Sequence, residues 1–191
     1  MARSKGRIFV VSAPSGCGKT SLVRAITRKD RKVVHPPSFT TRDPRAGEKD
    51  GTDYNFISEK EFIRRQRNGD FLEWSKPYGK YYATSKRGIA GNTGKGKDVI
   101  LSLDVRGAFS VRKKFRDSTL IYILPPSIGA LKKRLVGRST DKSSEIRKRL
   151  SFAKKDIANL KKYDYAVVND DFAEAVSKLK SIIAAERLRV R

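Results

Sequence analysis

The first apolar run, "RIFVV" at residues 7–11, is continuous rather than alternating. A strand that reads this way is covered on both faces, and the run predicts one over residues 8–12. After a glycine-rich turn, "KTSLVRAITRK" sets Leu22, Val23 and Ile26 at helical spacing and predicts a helix over residues 19–29. Three further apolar runs predict buried strands. "VILSL" at 99–103 ends on Asp104, "STLIYILPPS" at 118–127 is stopped by Pro125 and Pro126, and "YDYAVVND" spans 163–170. "SIGALKKRLVGR" (127–138) and "SSEIRKRLSFAKKDIANLKKY" (143–163) read as helices. "DFAEAVSKLKSIIAAERL" (171–188) reads as an amphipathic C-terminal helix with Phe172, Val176, Leu179 and Ile183 on one face. Alternating strands and helices predict an α/β fold, a mainly parallel sheet flanked by helices.

Residues 37–94 break that alternation. "HPPSFTTRDPRAGEKDGTDYNF" (35–56) is rich in turn residues and carries no helical pattern. "SEKEFIRRQRNG" (58–69) opens with Ser58 three residues before Glu61, a helix-capping signature, and "DFLEWS" reads as a strand. The segment is expected to be an inserted α+β subdomain on a core formed by residues 1–36 and 95–191.

Composition bounds the rest. A chain of 191 residues with 38% hydrophobic content forms one domain with a real core. No apolar run approaches the ~20 residues needed to cross a bilayer. The basic N-terminus leads into a strand too short for a signal-peptide core, so a cytosolic protein without a membrane partner is expected. The lone Cys17 excludes an intrachain disulfide and a cysteine zinc site. Forty-four basic against 20 acidic residues give a net charge of +24, which attracts polyanions. The runs "RKKFR" and "KKRLVGR" have no aromatic platform beside them, so the charge allows nucleic-acid binding but does not predict it.

The chemistry starts at "SAPSGCGKTSL", residues 12–22. It resembles the phosphate-loop pattern G-x-x-x-x-G-K-[ST], with Ala13 in place of the first glycine. Glycines let backbone N–H groups close on phosphate oxygens, and Gly16 and Gly18 supply them here. Lys19 is placed to reach the outer phosphates of a nucleoside triphosphate, and Thr20 to ligate Mg²⁺. Asp104, at the end of the next hydrophobic strand, stands where a metal-side carboxylate is needed. Cys17 reads as a small filler, or as a thiol activated by the helix N-terminus and open to oxidation. On the acceptor side, Arg42 and Arg45 could clamp a phosphomonoester, with Ser38 and Tyr54 nearby. Glu73 and Thr84 could read a base. A carboxylate accepts two parallel bonds from guanine N1–H and N2–H₂, which adenine cannot supply.

With these residues in place, the chain resembles the guanylate kinase family over residues 8–183. The resemblance rests on "SAPSGCGKTSL", "TTRDPRAGEKDGTDYNF", "FLEW", "YYATS", "VILSLDVRGA", "ILPPS", "LKKRLVGRSTD" and "YDYAVVNDD". It implies a phosphate-loop core, a GMP-binding subdomain over 37–94 and a lid at about 138–149. The implied reaction is ATP + GMP → ADP + GDP with Mg²⁺, dGMP serving similarly. Ser38, Arg42, Arg45, Tyr54 and Tyr82 would hold the GMP phosphate, and Glu73 and Thr84 the guanine. Ala13, Pro14, Ser15, Gly16, Cys17, Gly18, Lys19, Thr20 and Ser21 would hold ATP, with Asn169 near the adenine. Arg134, Arg138 and Arg149 would spread positive charge over the phosphates as the lid closes, and Lys19, Arg42, Arg138 and Arg149 would be the catalytic set. Thr20 and Asp104 would serve the metal.

The chain departs from the family at one place. Many members carry D-x-D on the second strand, the first Asp contacting the guanine side with the second; here the pair is Ser102 and Asp104. A hydroxyl brings no charge, which weakens the expectation for guanine affinity there. Ala83 also replaces a frequent glycine. Phosphoryl transfer needs alignment and charge stabilisation rather than a dedicated base, and the only histidine, His35, is expected to be structural or exposed. Rival readings are a kinase for another phosphorylated acceptor, a non-catalytic interaction module, and nucleic-acid binding; monomer and homodimer stay open.

Overall fold

The computed structural model describes residues 5–137 and 143–190. Its central sheet has five strands in the order β2-β7-β1-β8-β9, every pairing parallel: β1 (Ile8–Ser12), β2 (Val33–Val34), β7 (Asp98–Leu103), β8 (Thr119–Leu124) and β9 (Tyr165–Val168). The continuous apolar runs arise because both faces are covered. Successive side chains alternate between faces. Phe9, Val11, Ile100, Ile121 and Ile123 pack with α1 (Lys19–Lys29), α5 (Ile128–Val136), α6 (Ser143–Ile157) and α7 (Phe172–Leu188). Ile8, Val10, Val99, Leu101, Leu103 and Leu120 pack on the other face, with α3 (Lys86–Thr93) and α4 (Val105–Lys114).

A second sheet of four strands, order β4-β3-β6-β5, is built from β3 (Ser38–Thr40), β4 (Tyr54–Phe56), β5 (Phe71–Ser75) and β6 (Tyr82–Ser85). It mixes one parallel pair, β3 with β4, and two antiparallel pairs. Its small core, Phe62, Phe71 and Ala83, is closed by α2 (Glu59–Arg67), whose N-terminus Ser58 caps by accepting from the Glu61 N–H. α3 follows this sheet in the chain but buries Ile89 against β7 and Leu101 of the central sheet.

Two sequence expectations are corrected. The helix read over 143–163 ends at Ile157; a tight 3-10 turn at Leu160–Lys162 then brings Asp164 under β8, where it accepts from the Leu120 N–H at 2.7 Å. Phe172 does not join Val176, Leu179 and Ile183 in the core. It is the first residue of α7, ahead of the turns that meet the sheet, and is 45% exposed. No helix among the described residues is long and apolar enough to cross a membrane.

Candidate active site

The phosphate loop lies at the C-terminal end of β1, and Asp104 at the end of its neighbour β7, with Ser12 and Leu103 in register. Ligands of open parallel sheets bind at this edge. Gly16 and Gly18 both adopt the left-handed conformation, φ +96° and +80°. A Cβ at Gly18 would also stand 2.7 Å from Asn169 Nδ2, so the site admits only glycine on two counts. Ala13 packs against the core cluster, away from the two left-handed turns, which is why a methyl group is tolerated there. α1 starts directly from Gly18, with no side-chain cap and no acid in its first turn. Its first N–H groups, those of Lys19, Thr20 and Ser21, therefore belong to an uncapped helix end that favours an anion. Pro14 closes the loop by accepting from the Cys17 N–H at 3.2 Å.

Lys19 Nζ donates to the Leu103 carbonyl at 2.7 Å, across the end of β7. Burial lowers its pKa to about 8, against the pull of Asp104 and, more weakly, Asp156. Asp104 caps α4 through Oδ1, which accepts from the Gly107 N–H at 2.7 Å. Ser102 shares the face of β7 with Ile100, two residues before Asp104, which is an electrostatic neighbour of Glu73. Asp156 went unnoticed in the sequence. It lies on α6 seven residues after Arg149, and burial and Asp104 raise its pKa while Lys19 opposes them.

The acceptor-side residues meet on the second sheet. Glu73 and Thr84 are cross-strand partners on β5 and β6, and Thr84 Oγ1 donates to Glu73 Oε1 at 2.5 Å. Both are buried. Desolvation pushes the Glu73 carboxyl up to about 7; the Thr84 hydrogen bond opposes this and the Asp104 charge adds to it. Ser38 and Tyr54 are register partners on β3 and β4, and the Tyr54 and Tyr82 rings stand edge to face, centroids 6.1 Å apart. Arg42 lies 4.7 Å from the Tyr54 centroid, so Ser38, Arg42, Tyr54 and Tyr82 form one cluster. Arg45 is exposed beside it.

From α6, Arg149 Nη1 donates to Ser15 Oγ at 2.8 Å. Leu131 and Leu135 of α5 press on Gly16, and Arg134, between them, is half-buried. Arg138 lies outside the described residues. Asn169 Nδ2 donates to the Cys17 carbonyl at 2.9 Å, which ties it to the backbone of the loop. Cys17 is wholly buried, as a small filler would be. His35 is structural: its Nδ1 is 2.8 Å from the Ile100 carbonyl, and burial lowers its pKa.

A glycine loop between a buried parallel strand and an uncapped helix, with an acid at the end of the adjoining strand, defines a phosphate-loop nucleotide-binding protein. The family model described as guanylate kinase matches residues 5–186. A guanylate kinase of Chromobacterium violaceum is 47% identical over 184 residues, 96% of this chain and 88% of that protein. One of Hahella chejuensis is 45% identical over 98% of this chain and 90% of its own length. The crystal structure of guanylate kinase from Anaplasma phagocytophilum superposes with a TM-score of 0.84 at 30% identity, covering 100% of this chain and 90% of that one. The chain belongs to the guanylate kinase family.

Proposed function

We propose that this chain is a cytoplasmic ATP:GMP phosphotransferase that uses Mg²⁺ and also accepts dGMP. The observation that carries the choice of acceptor is the buried Glu73 paired with Thr84. An ionised Glu73 accepts two bonds from guanine, and it would be left buried and unpaired opposite adenine. Ser38, Arg42, Arg45, Tyr54 and Tyr82 hold the GMP phosphate. Lys19 and the N–H groups from Ala13 to Ser21 hold the ATP phosphates, with Asn169 at the adenine end. Residues 37–94 act as the GMP-binding subdomain and about 138–149 as the lid.

Mg²⁺ fits a hydroxyl and a carboxylate beside a triphosphate, since all are hard oxygen donors. Thr20, exposed at the start of α1, and Asp104, which spends only Oδ1 on its cap, would hold it. When bound, the ion neutralises charge on the phosphates. The protein's own part is alignment and charge. Arg42 fixes the acceptor phosphate, Lys19 leaves the Leu103 carbonyl for the donor phosphates, and Arg149 with Arg138 closes over the transferred group and excludes water. A coupled ADP-release assay with ATP and GMP, dGMP, AMP, UMP or CMP tests this. Turnover confined to GMP and dGMP is expected; equal turnover of AMP sinks the assignment.

A further inference from the structure

Arg42 does not stand free in the acceptor pocket. Glu48, six residues on, grips it end-on with two parallel bonds, Nη1 to Oε2 at 2.7 Å and Nη2 to Oε1 at 2.6 Å. The same Oε2 accepts from the Arg45 backbone N–H at 2.8 Å, and the Glu48 N–H returns a bond to the Arg45 carbonyl at 3.0 Å. One carboxylate thus fastens the Arg42 side chain to the Arg45 backbone. Against the effect of its partial burial, the Arg42 bonds hold the Glu48 carboxyl below the usual range.

A bidentate carboxylate on a phosphate-binding arginine has two opposite meanings. It can occupy the phosphate's place, to be expelled when substrate arrives. Or it can hold the arginine from behind. The donors of the guanidinium decide between them. It has five N–H groups. Nη1 gives one to Glu48 and one to the Asp43 carbonyl at 2.8 Å, and Nη2 gives one to Glu48. The two that remain, on Nε and Nη2, lie side by side along one edge of the plane, and the Tyr54 hydroxyl, itself read as a phosphate ligand, is a further hydrogen-bond neighbour of the guanidinium. That edge is a complete fork for two oxygens of a phosphomonoester. The plane itself is set by the Tyr54 ring at 4.7 Å and the Phe56 ring at 5.5 Å.

We infer that Glu48 is a positioning residue for the acceptor phosphate: it locks Arg42 in the rotamer that presents its Nε/Nη2 edge beside the Tyr54 hydroxyl, and sets Arg42 against Arg45. This rests on the reading of Arg42 as a ligand of the GMP phosphate. A long arginine loses rotamer freedom when it binds. Here that ordering is complete before substrate arrives, and GMP affinity gains from it. Glu48 touches no reacting atom, so its loss acts on binding rather than on the chemical step.

The test is a double-mutant cycle with Glu48→Gln, Arg42→Lys and both together. GMP binding is followed by calorimetry, KM for GMP and for ATP by the coupled assay, and folding by thermal melting. Glu48→Gln is expected to weaken GMP binding and raise its KM roughly tenfold, the size of effect of losing one charge-assisted bond. The KM for ATP should stay within twofold. In the Arg42→Lys background, Glu48→Gln should cost almost nothing more, because its target is gone. Tighter GMP binding by Glu48→Gln would mean that Glu48 competes with the phosphate, and would overturn the inference. So would an unchanged KM for GMP, a parallel rise in the KM for ATP, or full additivity in the cycle. If the wild-type protein binds AMP as well as GMP, the guanine reading fails while the cycle, run on either monophosphate, still reports on Glu48. If it binds no monophosphate, both fall.

Discussion

Asn169 and Cys17, 152 residues apart, are joined by one buried hydrogen bond, from the Asn169 amide to the Cys17 carbonyl at 2.9 Å. It fastens the end of the last strand to the middle of the phosphate loop. The amide nitrogen also fills the space where a side chain at Gly18 would go.

Removing that bond takes a buried hydrogen bond from the loop backbone and cuts its tie to the last strand. Asn169→Ala is expected to cost about 1–3 kcal/mol of stability, the scale for removing one partner of a buried hydrogen bond. The KM for ATP should rise with it, whereas that for GMP should not. Urea unfolding and the two KM values check this; an equal rise in both would place the effect outside the loop.

Lys19→Ala removes the ammonium that reaches the Leu103 carbonyl at the end of β7. Turnover should fall by about 10²–10³, the scale for deleting a group that stabilises developing charge. The melting temperature should hold or rise, because a desolvated cation disappears from the interior. Near-normal turnover would remove Lys19 from the catalytic set.

Glu73 makes the protein sensitive to pH. Its folded pKa, about 7, lies above the ordinary glutamate value of 4.5, so between these values the folded state binds more protons than the unfolded chain. Stability is then highest below about pH 4.5 as far as this group is concerned, and falls as pH rises to about 7, by about 3 kcal/mol in all. Glu73→Gln should abolish that component. Guanine needs the carboxylate, so the KM for GMP should rise toward tenfold per unit as pH drops below 7, more steeply in wild type than in Glu73→Gln. The variant should also lose preference for GMP over AMP. Identical pH profiles for the two proteins would refute the assignment.

Ser102 lies one alternation before Asp104 on β7, on the face it shares with Ile100. An acid there would add a second carboxylate beside Asp104, so Ser102→Asp is expected to lower the Mg²⁺ concentration for half-maximal rate and leave the GMP/AMP ratio within twofold. Magnesium titration at fixed ATP and the acceptor panel separate the two effects. A shifted ratio would instead give Ser102 the guanine-side role that the resemblance implies.

The central sheet was readable from the chain because strands covered on both faces have no polar positions to break their runs. β2 escaped notice, since Val33 and Val34 are too few to make a pattern. α3 was hidden by Gly88 and Gly91, and α4 by the basic run that ends it; α4 buries only Gly107, Ala108 and Val111. At the site, residue types pointed to the loop, Asp104 and the pairing of Glu73 with Thr84. Glu48 and Asp156 gave no such signal. The role of Glu48 depends on a loop folding back on Arg42, and that of Asp156 on α6 docking beside Lys19. Neither can be read from spacing along the chain.

The contact between Arg149 and Ser15 bears on how the donor nucleotide arrives. A hydroxyl of the phosphate loop is paired with a guanidinium that the chain itself brings from α6. If Arg149 serves the donor phosphates as proposed, it reaches them by a change of partner, hydroxyl for phosphate. The distance it has to travel is then short, because α6 already carries it to the loop.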